Sequence, residues 1–200
     1  MKINCHIKII SIIILLFSFN SCRTTKSDRN YNLRPVYVTN TKKINLLQPS
    51  NITIVKDGLQ LFNGTFGDNS FSMMSYTQID ESGISLSLIN DFGTDMGNLF
   101  FDGNQVSFDS AYLPSILPGE YIVAEIQNAY YDEDILQKNY SSAGLRFEVQ
   151  SKTDERENES VEIRKIYDGK KLIEEIYISE EKVNIINYLR GYSFELINAE

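Results

Sequence analysis

The chain has 200 residues, with 19 Lys and Arg against 27 Asp and Glu, two Cys, one His and no Trp. That length suits one ordinary domain with a sizeable core, and 42% apolar with 23% charged residues argues against disorder and against a multi-span membrane protein. A net charge of −8 without any Lys/Arg-dense run argues against nucleic acid as a partner, because binding it requires phosphate neutralisation.

The amino terminus reads as a processing segment over residues 1–21. Lys2 and Lys8 supply a positive start, Ile9 to Phe19 an apolar run, and Asn20-Ser21 a small or polar approach to Cys22. The apolar run is too short for a spanning helix, which needs about 20 residues. Leu16-Phe17-Ser18-Phe19-Asn20-Ser21-Cys22 resembles the lipobox of bacterial lipoproteins, where a signal peptidase cuts before the Cys and the thiol is acylated. It departs from the usual pattern at Phe19 and Asn20. The resemblance implies a palmitate-type lipid anchor on Cys22 that holds the protein on a membrane without spanning it, facing the periplasm. Arg23 stands where an Asp resembles an inner-membrane retention signal, so the expectation leans to the outer membrane.

Cleavage removes Cys5, His6, Lys2 and Lys8, leaving 17 basic against 27 acidic residues, a charge of −10. With Cys22 acylated, the mature chain has no His and no free thiol. Ser–His and Cys–His catalysis, and metal sites with His or Cys ligands, then fall away. The expectation is a protein that is not an enzyme and has no metal and no cofactor.

Residues 22–48 read as the lipidated Cys and a flexible tether, with Val36-Tyr37-Val38 as a piece that docks on the body; residues 49–200 read as the domain. From Ile52 the period is two. Ile52 to Val55, Leu59 to Phe62, Phe71 to Tyr76 and Ile84 to Leu88 read as strands. Turn chemistry falls at Lys56-Asp57-Gly58, Phe66-Gly67-Asp68-Asn69, Glu81-Ser82-Gly83, Asp102-Gly103-Asn104 and Asp168-Gly169-Lys170. After Pro114 and Pro118 the period changes: Ile122, Ile126 and Ala129-Tyr130 predict a helix over Glu120 to Tyr130, with Asp132 capping a second, shorter one that Gly144 closes. Strands resume at Leu145 to Gln150, Val161 to Tyr167, Leu172 to Ile178, Val183 to Tyr188 and Tyr192 to Ile197.

Candidate chemistry is sparse. The run Asp154-Glu155-Arg156-Glu157-Asn158-Glu159 lacks the Gly and alternating ligands of a calcium loop and reads as a solvated hairpin. Asp91 and Asp95 flank a Gly loop, for which turn chemistry competes with a cation site. Asp132, Glu133 and Asp134 point in different directions on a helix and cannot flank one bond, so capping accounts for them. Four Asn-X-Ser/Thr triplets are chance products of an Asn-rich chain. The apolar strand set Leu59, Leu61, Phe71, Met73, Ile84, Leu86, Leu88, Leu99 and Phe101 is either plain core or in part the wall of a cavity, with Met73 and Met74 as adaptable lining.

Gln78 before a hairpin, Leu86 to Gly93, Phe101-Asp102-Gly103, the helix Ala124 to Tyr131 and the closing Ile186 to Tyr192 together resemble a family of bacterial outer-membrane lipoproteins of unknown function, over roughly residues 50 to 198. More remotely they are similar to the lipoprotein-localisation carriers and receptors (LolA/LolB-like). That likeness implies an antiparallel half-barrel holding an acyl-binding cavity; it brings no catalytic residues. Tyr131-Asp132 departs from the Trp-Pro pair expected there. The receptor's membrane-inserting loop has Ala111 to Leu117 as its nearest counterpart, against the reading of a core-covering connection.

The fold class expected is α+β: a strongly curved antiparallel half-barrel sheet of about nine to eleven strands packed on one or two helices. The function expected is non-enzymatic binding of a lipid or lipoprotein, with Leu61, Phe71, Met73, Ile84, Leu86, Leu88, Phe101, Ile122 and Ile126 as cavity candidates. The alternative is an envelope accessory protein with a filled core that acts through protein contacts. Cavity volume separates the two: about 300 Å³ or more favours the ligand.

Overall fold

A computed structural model describes residues 33–110, 118–154 and 159–199. Cys22, the processing segment, residues 23–32 of the expected tether, residues 111–117 and the acidic stretch 155–158 lie outside the described residues. Ten strands form one sheet: β3 (Lys56–Phe66), β4 (Asn69–Asp80), β5 (Gly83–Ile89), β6 (Asp95–Phe101), β7 (Val106–Ser110), β8 (Arg146–Asp154), β9 (Glu159–Asp168), β10 (Lys171–Ile178), β11 (Lys182–Asn187) and β12 (Tyr192–Asn198). Their spatial order is β7-β6-β5-β4-β3-β12-β11-β10-β9-β8, with every neighbouring pair antiparallel. Two five-strand meanders are thus joined along one seam, β3 against β12. The sheet stays open, with β7 and β8 as its edges. Helices α1 (Gly119–Tyr130) and α2 (Glu133–Ser142) form the link between the meanders, and the chain is α+β.

Helix α1 is buried at every position from Ile122 to Tyr130. A helix shielded that fully needs cover on both sides. The sheet supplies one side; the other comes from a strap ahead of the sheet, the two-stranded ribbon β1 (Val36–Tyr37) and β2 (Lys43–Ile44). Val36, Ile44 and Leu46 are buried in the common core. The expected tether therefore ends well before residue 48, because these three apolar side chains gain more by packing on α1 than by staying in water. The strap is pinned by Gln127, whose Oε1 accepts from Leu47 N at 2.9 Å and whose Nε2 donates to Leu47 O at 2.8 Å.

Two local expectations are corrected. Ile52 to Val55 is not a strand: a 3-10 turn over Pro49–Asn51 precedes it, and the N–H groups of Thr53 and Ile54 donate to Tyr130 O at 3.2 and 3.3 Å. These amides satisfy the carboxyl end of α1 instead of joining the sheet. Lys56-Asp57-Gly58 is not a turn but the start of β3, with Gly58 opposite Thr77. The other four turns fall where expected. Asp132 caps α2 by accepting from Ile135 N at 3.1 Å, and Gly144, at φ 70°, ends it with a conformation that side chains other than Gly rarely adopt. Among the described residues no helix is long and apolar enough to cross a membrane.

The phase of β3 is the largest departure. Gln60, Phe62 and Gly64 face the helices, while Leu59 is 46% exposed and Leu61 lies on the outer face. Phe62→Ala is expected to cost about 3–5 kcal/mol and Leu59→Ala no more than about 0.5 kcal/mol, measured by urea unfolding. Equal losses would mean that the inward residues have been misassigned.

Candidate functional site

Between α1 and the sheet lies an apolar cleft. Ile122 and Ile126 on the helix face Phe62, Leu86, Ile185, Phe194 and Leu196 on the sheet, and Thr77, Glu125 and Tyr130 complete the lining. Its volume is about 30 Å³. That is room for about one water and a tenth of an ordinary ligand pocket.

Of the nine cavity candidates, the structure brings Leu86, Ile122 and Ile126 to this cleft. Met73, Ile84, Leu88 and Phe101 are fully buried core, and Leu61 is on the opposite face of the sheet. Phe71 sits beside the cleft: its ring lies over Gly64, where a Cβ would come within 2.1 Å of Cζ, and meets Phe62 edge-on at 5.2 Å between centroids. Phe194 continues this aromatic group, 5.6 Å from Phe62. The sequence reading missed Phe62, Phe194 and Leu196, all of which follow once the phases of β3 and β12 are known.

On the other side of α1 lies a polar cluster that no motif announced. Glu125 and Glu174 are 7% and 3% exposed. Tyr192 Oη donates to Glu125 Oε1. Glu174 accepts from Asn128 Nδ2 at 3.0 Å and from Asn187 Nδ2 at 2.7 Å, and Tyr140 Oη donates to Asn128 Oδ1 at 2.8 Å. Arg164 stands at the rim, where its Nη1 donates to the carbonyls of Asn128 and Tyr131 at 2.9 and 2.8 Å.

Burial pushes the Glu125 carboxyl well above the usual range, and the neighbouring Glu174 adds to it. Burial also raises Glu174, against the hydrogen bonds from Asn187 and Asn128. Tyr140 and Tyr192 are pushed up, chiefly by burial. A cavity of about 20 Å³ separates the cluster from the strap. With space for about one water, the carboxyl pair meets no substrate-sized molecule.

The acidic loop expected as a turn is a turn. Asn90 Oδ1 accepts from Phe92 N at 3.0 Å and Thr94 N at 2.9 Å, which leaves Phe92 at the tip 93% exposed. Among the described residues no three His, Cys, Asp or Glu gather as metal ligands.

A family model described as "Protein of unknown function (DUF3261)" matches residues 58–198, from the third residue of β3 to the end of β12. The chain belongs to the DUF3261 family. The DUF3261 match takes in the whole cleft and both buried glutamates, and leaves the strap outside. Comparison with curated proteins finds no match. Among solved structures, the chain is similar to a DUF1329 family protein from Desulfovibrio piger, with 8% identity over 76% of this chain and 87% of that one; its TM-score of 0.25 carries no argument.

Asn187→Ala removes a donor from Glu174 and is expected to cost about 1–3 kcal/mol in urea unfolding, whereas Asn184→Ala on the same strand costs no more than about 0.5 kcal/mol. If the two lose equally little, the polar cluster contributes nothing measurable to the fold.

Proposed function

We propose that the chain is a lipid-anchored protein of the bacterial outer membrane, facing the periplasm, that accepts an acyl-bearing molecule without catalysing a reaction on it. The anchor is Cys22. The body, on this reading, is a LolA/LolB-like half-barrel with α1 and α2 packed inside it. The observation that carries the reading is the cleft: aliphatic and aromatic side chains from α1 and four strands converge there, with the ring group Phe62, Phe71 and Phe194 at one side. Such a surface binds alkyl groups by burial at about 25 cal/mol per Å², with no charged chemistry. At about 30 Å³ the cleft stores nothing as it stands. Acceptance of a chain requires α1 to move off the sheet, which makes the handling transient.

The same small volume favours a second reading: an accessory protein with a filled core that acts through protein contacts at its surface or at the open edges β7 and β8. Native mass spectrometry of the protein purified from its host envelope separates the two. An acyl-bearing adduct that Ile122→Trp abolishes supports the first reading, and a bare mass under conditions that preserve lipid adducts of a control carrier supports the second. The anchor has its own test. Cys22→Ser is expected to leave the chain unprocessed and free of radiolabelled palmitate, and persistent labelling refutes the assignment.

A further inference from the structure

We propose that Glu125 and Glu174 share one proton, and that this proton latches the β1–β2 strap onto the body. The inference goes beyond the acyl reading and does not depend on it. Its basis is an inventory of donors. Tyr192 supplies Glu125 Oε1, while Asn128 and Asn187 supply the two oxygens of Glu174. Glu125 Oε2 is buried and has no partner among the described residues. A carboxyl oxygen left without a donor beside a second carboxyl is satisfied most simply by a proton of its own, which it then donates across the pair.

The surrounding charges leave few alternatives. Arg164 of β9 is held by Glu162 Oε1 at 2.6 Å and by two backbone carbonyls. Arg190, on the turn between β11 and β12, donates to Tyr37 O of the strap and lies over the Tyr121 ring at 5.3 Å. It lowers the cost of charge on both carboxyls, though burial outweighs it. The phenols facing the pair, Tyr140 of α2 and Tyr192 of β12, are shifted upward by burial, which leaves the two carboxyls as the groups that respond to pH.

Loss of the proton places two like charges in one buried site, and the relief available is entry of water. The roof is the wall that stands outside the ten-stranded sheet. It consists of Val36, Tyr37, Val38 and Ile44 above the cavity of about 20 Å³. Away from α1 the strap is held by bonds near the surface: Lys42 Nζ to Asp168 at 2.6 Å and to Gly144 O at 2.7 Å, and Asn139 Nδ2 to Asn45 O at 2.8 Å. Opening the strap leaves the ten-stranded sheet intact. The direction follows from linkage. The folded pair holds its shared proton more tightly than a glutamate of the unfolded chain does, so the latch is complete below the ordinary glutamate range and weakens as pH rises through the folded value.

Hydrogen exchange on the full-length chain tests this, with intrinsic chemical exchange divided out. Amides of residues 36–47 are expected to lose about tenfold protection or more between about pH 5 and about pH 9, while β4 and β5 hold theirs. In Glu125→Gln, whose amide donates where the proton did, the protection of the strap should be flat with pH. Constant protection in the natural chain, or an unchanged slope in Glu125→Gln, overturns the latch. Should that variant fail to fold, carboxyl carbon NMR of the natural chain decides: a Glu titrating well above the ordinary range is expected, and its absence overturns the shared proton.

Discussion

Everything in this fold is arranged around the burial of α1. A helix enclosed along nine consecutive residues cannot leave its polar side chains to water, and three of them, Glu125, Gln127 and Asn128, lie within one turn. Each finds its partner on a different neighbour: Glu125 on β12, Gln127 on the strap, and Asn128 on β10 and α2. The helix is thereby seated in rotation and in depth, and the displacement that the acyl reading requires has to break several buried polar contacts at once. The apolar cleft exists where this same helix turns Ile122 and Ile126 to the middle of the sheet, on both sides of the β3–β12 seam.

The strap and the family region stand in an instructive relation. The DUF3261 match begins inside β3, so the segment that roofs the polar cluster lies upstream of it, whereas Glu125, Glu174, Asn187 and Tyr192 all lie within. The body thus carries the polar groups and the preceding segment carries their cover. On the proposed anchoring at Cys22, that cover is also the part of the described chain nearest the anchor in sequence.

The elements were legible in the sequence because period two and period 3.6 are local signals. Turn residues at four positions, the cap at Asp132 and the change of period after Pro118 all describe chain neighbours. Phase was not legible. In Leu59-Gln60-Leu61-Phe62 alternation points both leucines inward, yet it is Gln60 that is 1% exposed. The outer face of this sheet has its own apolar group, in which Leu61 lies opposite Met74 and Ile197, so both phases of β3 are apolar and alternation cannot choose between them. The choice is made by Phe62 between Met73 and Leu196, and by Gly64, which gives the Phe71 ring its place. The glutamate pair was hidden for a related reason. Glu125 reads as the wet side of an amphipathic helix until the strap covers it, and its partner lies far along the chain on β10.

The seam between β3 and β12 has a consequence for how the molecule is made. The first long strand of the body lies against the last, in the middle of the sheet, so on the ribosome the two meanders cannot be joined until almost all of the chain has been synthesised. Pairings this distant in sequence form slowly, whereas the other strands pair with chain neighbours, so closure of the seam is the late step that joins two locally paired meanders.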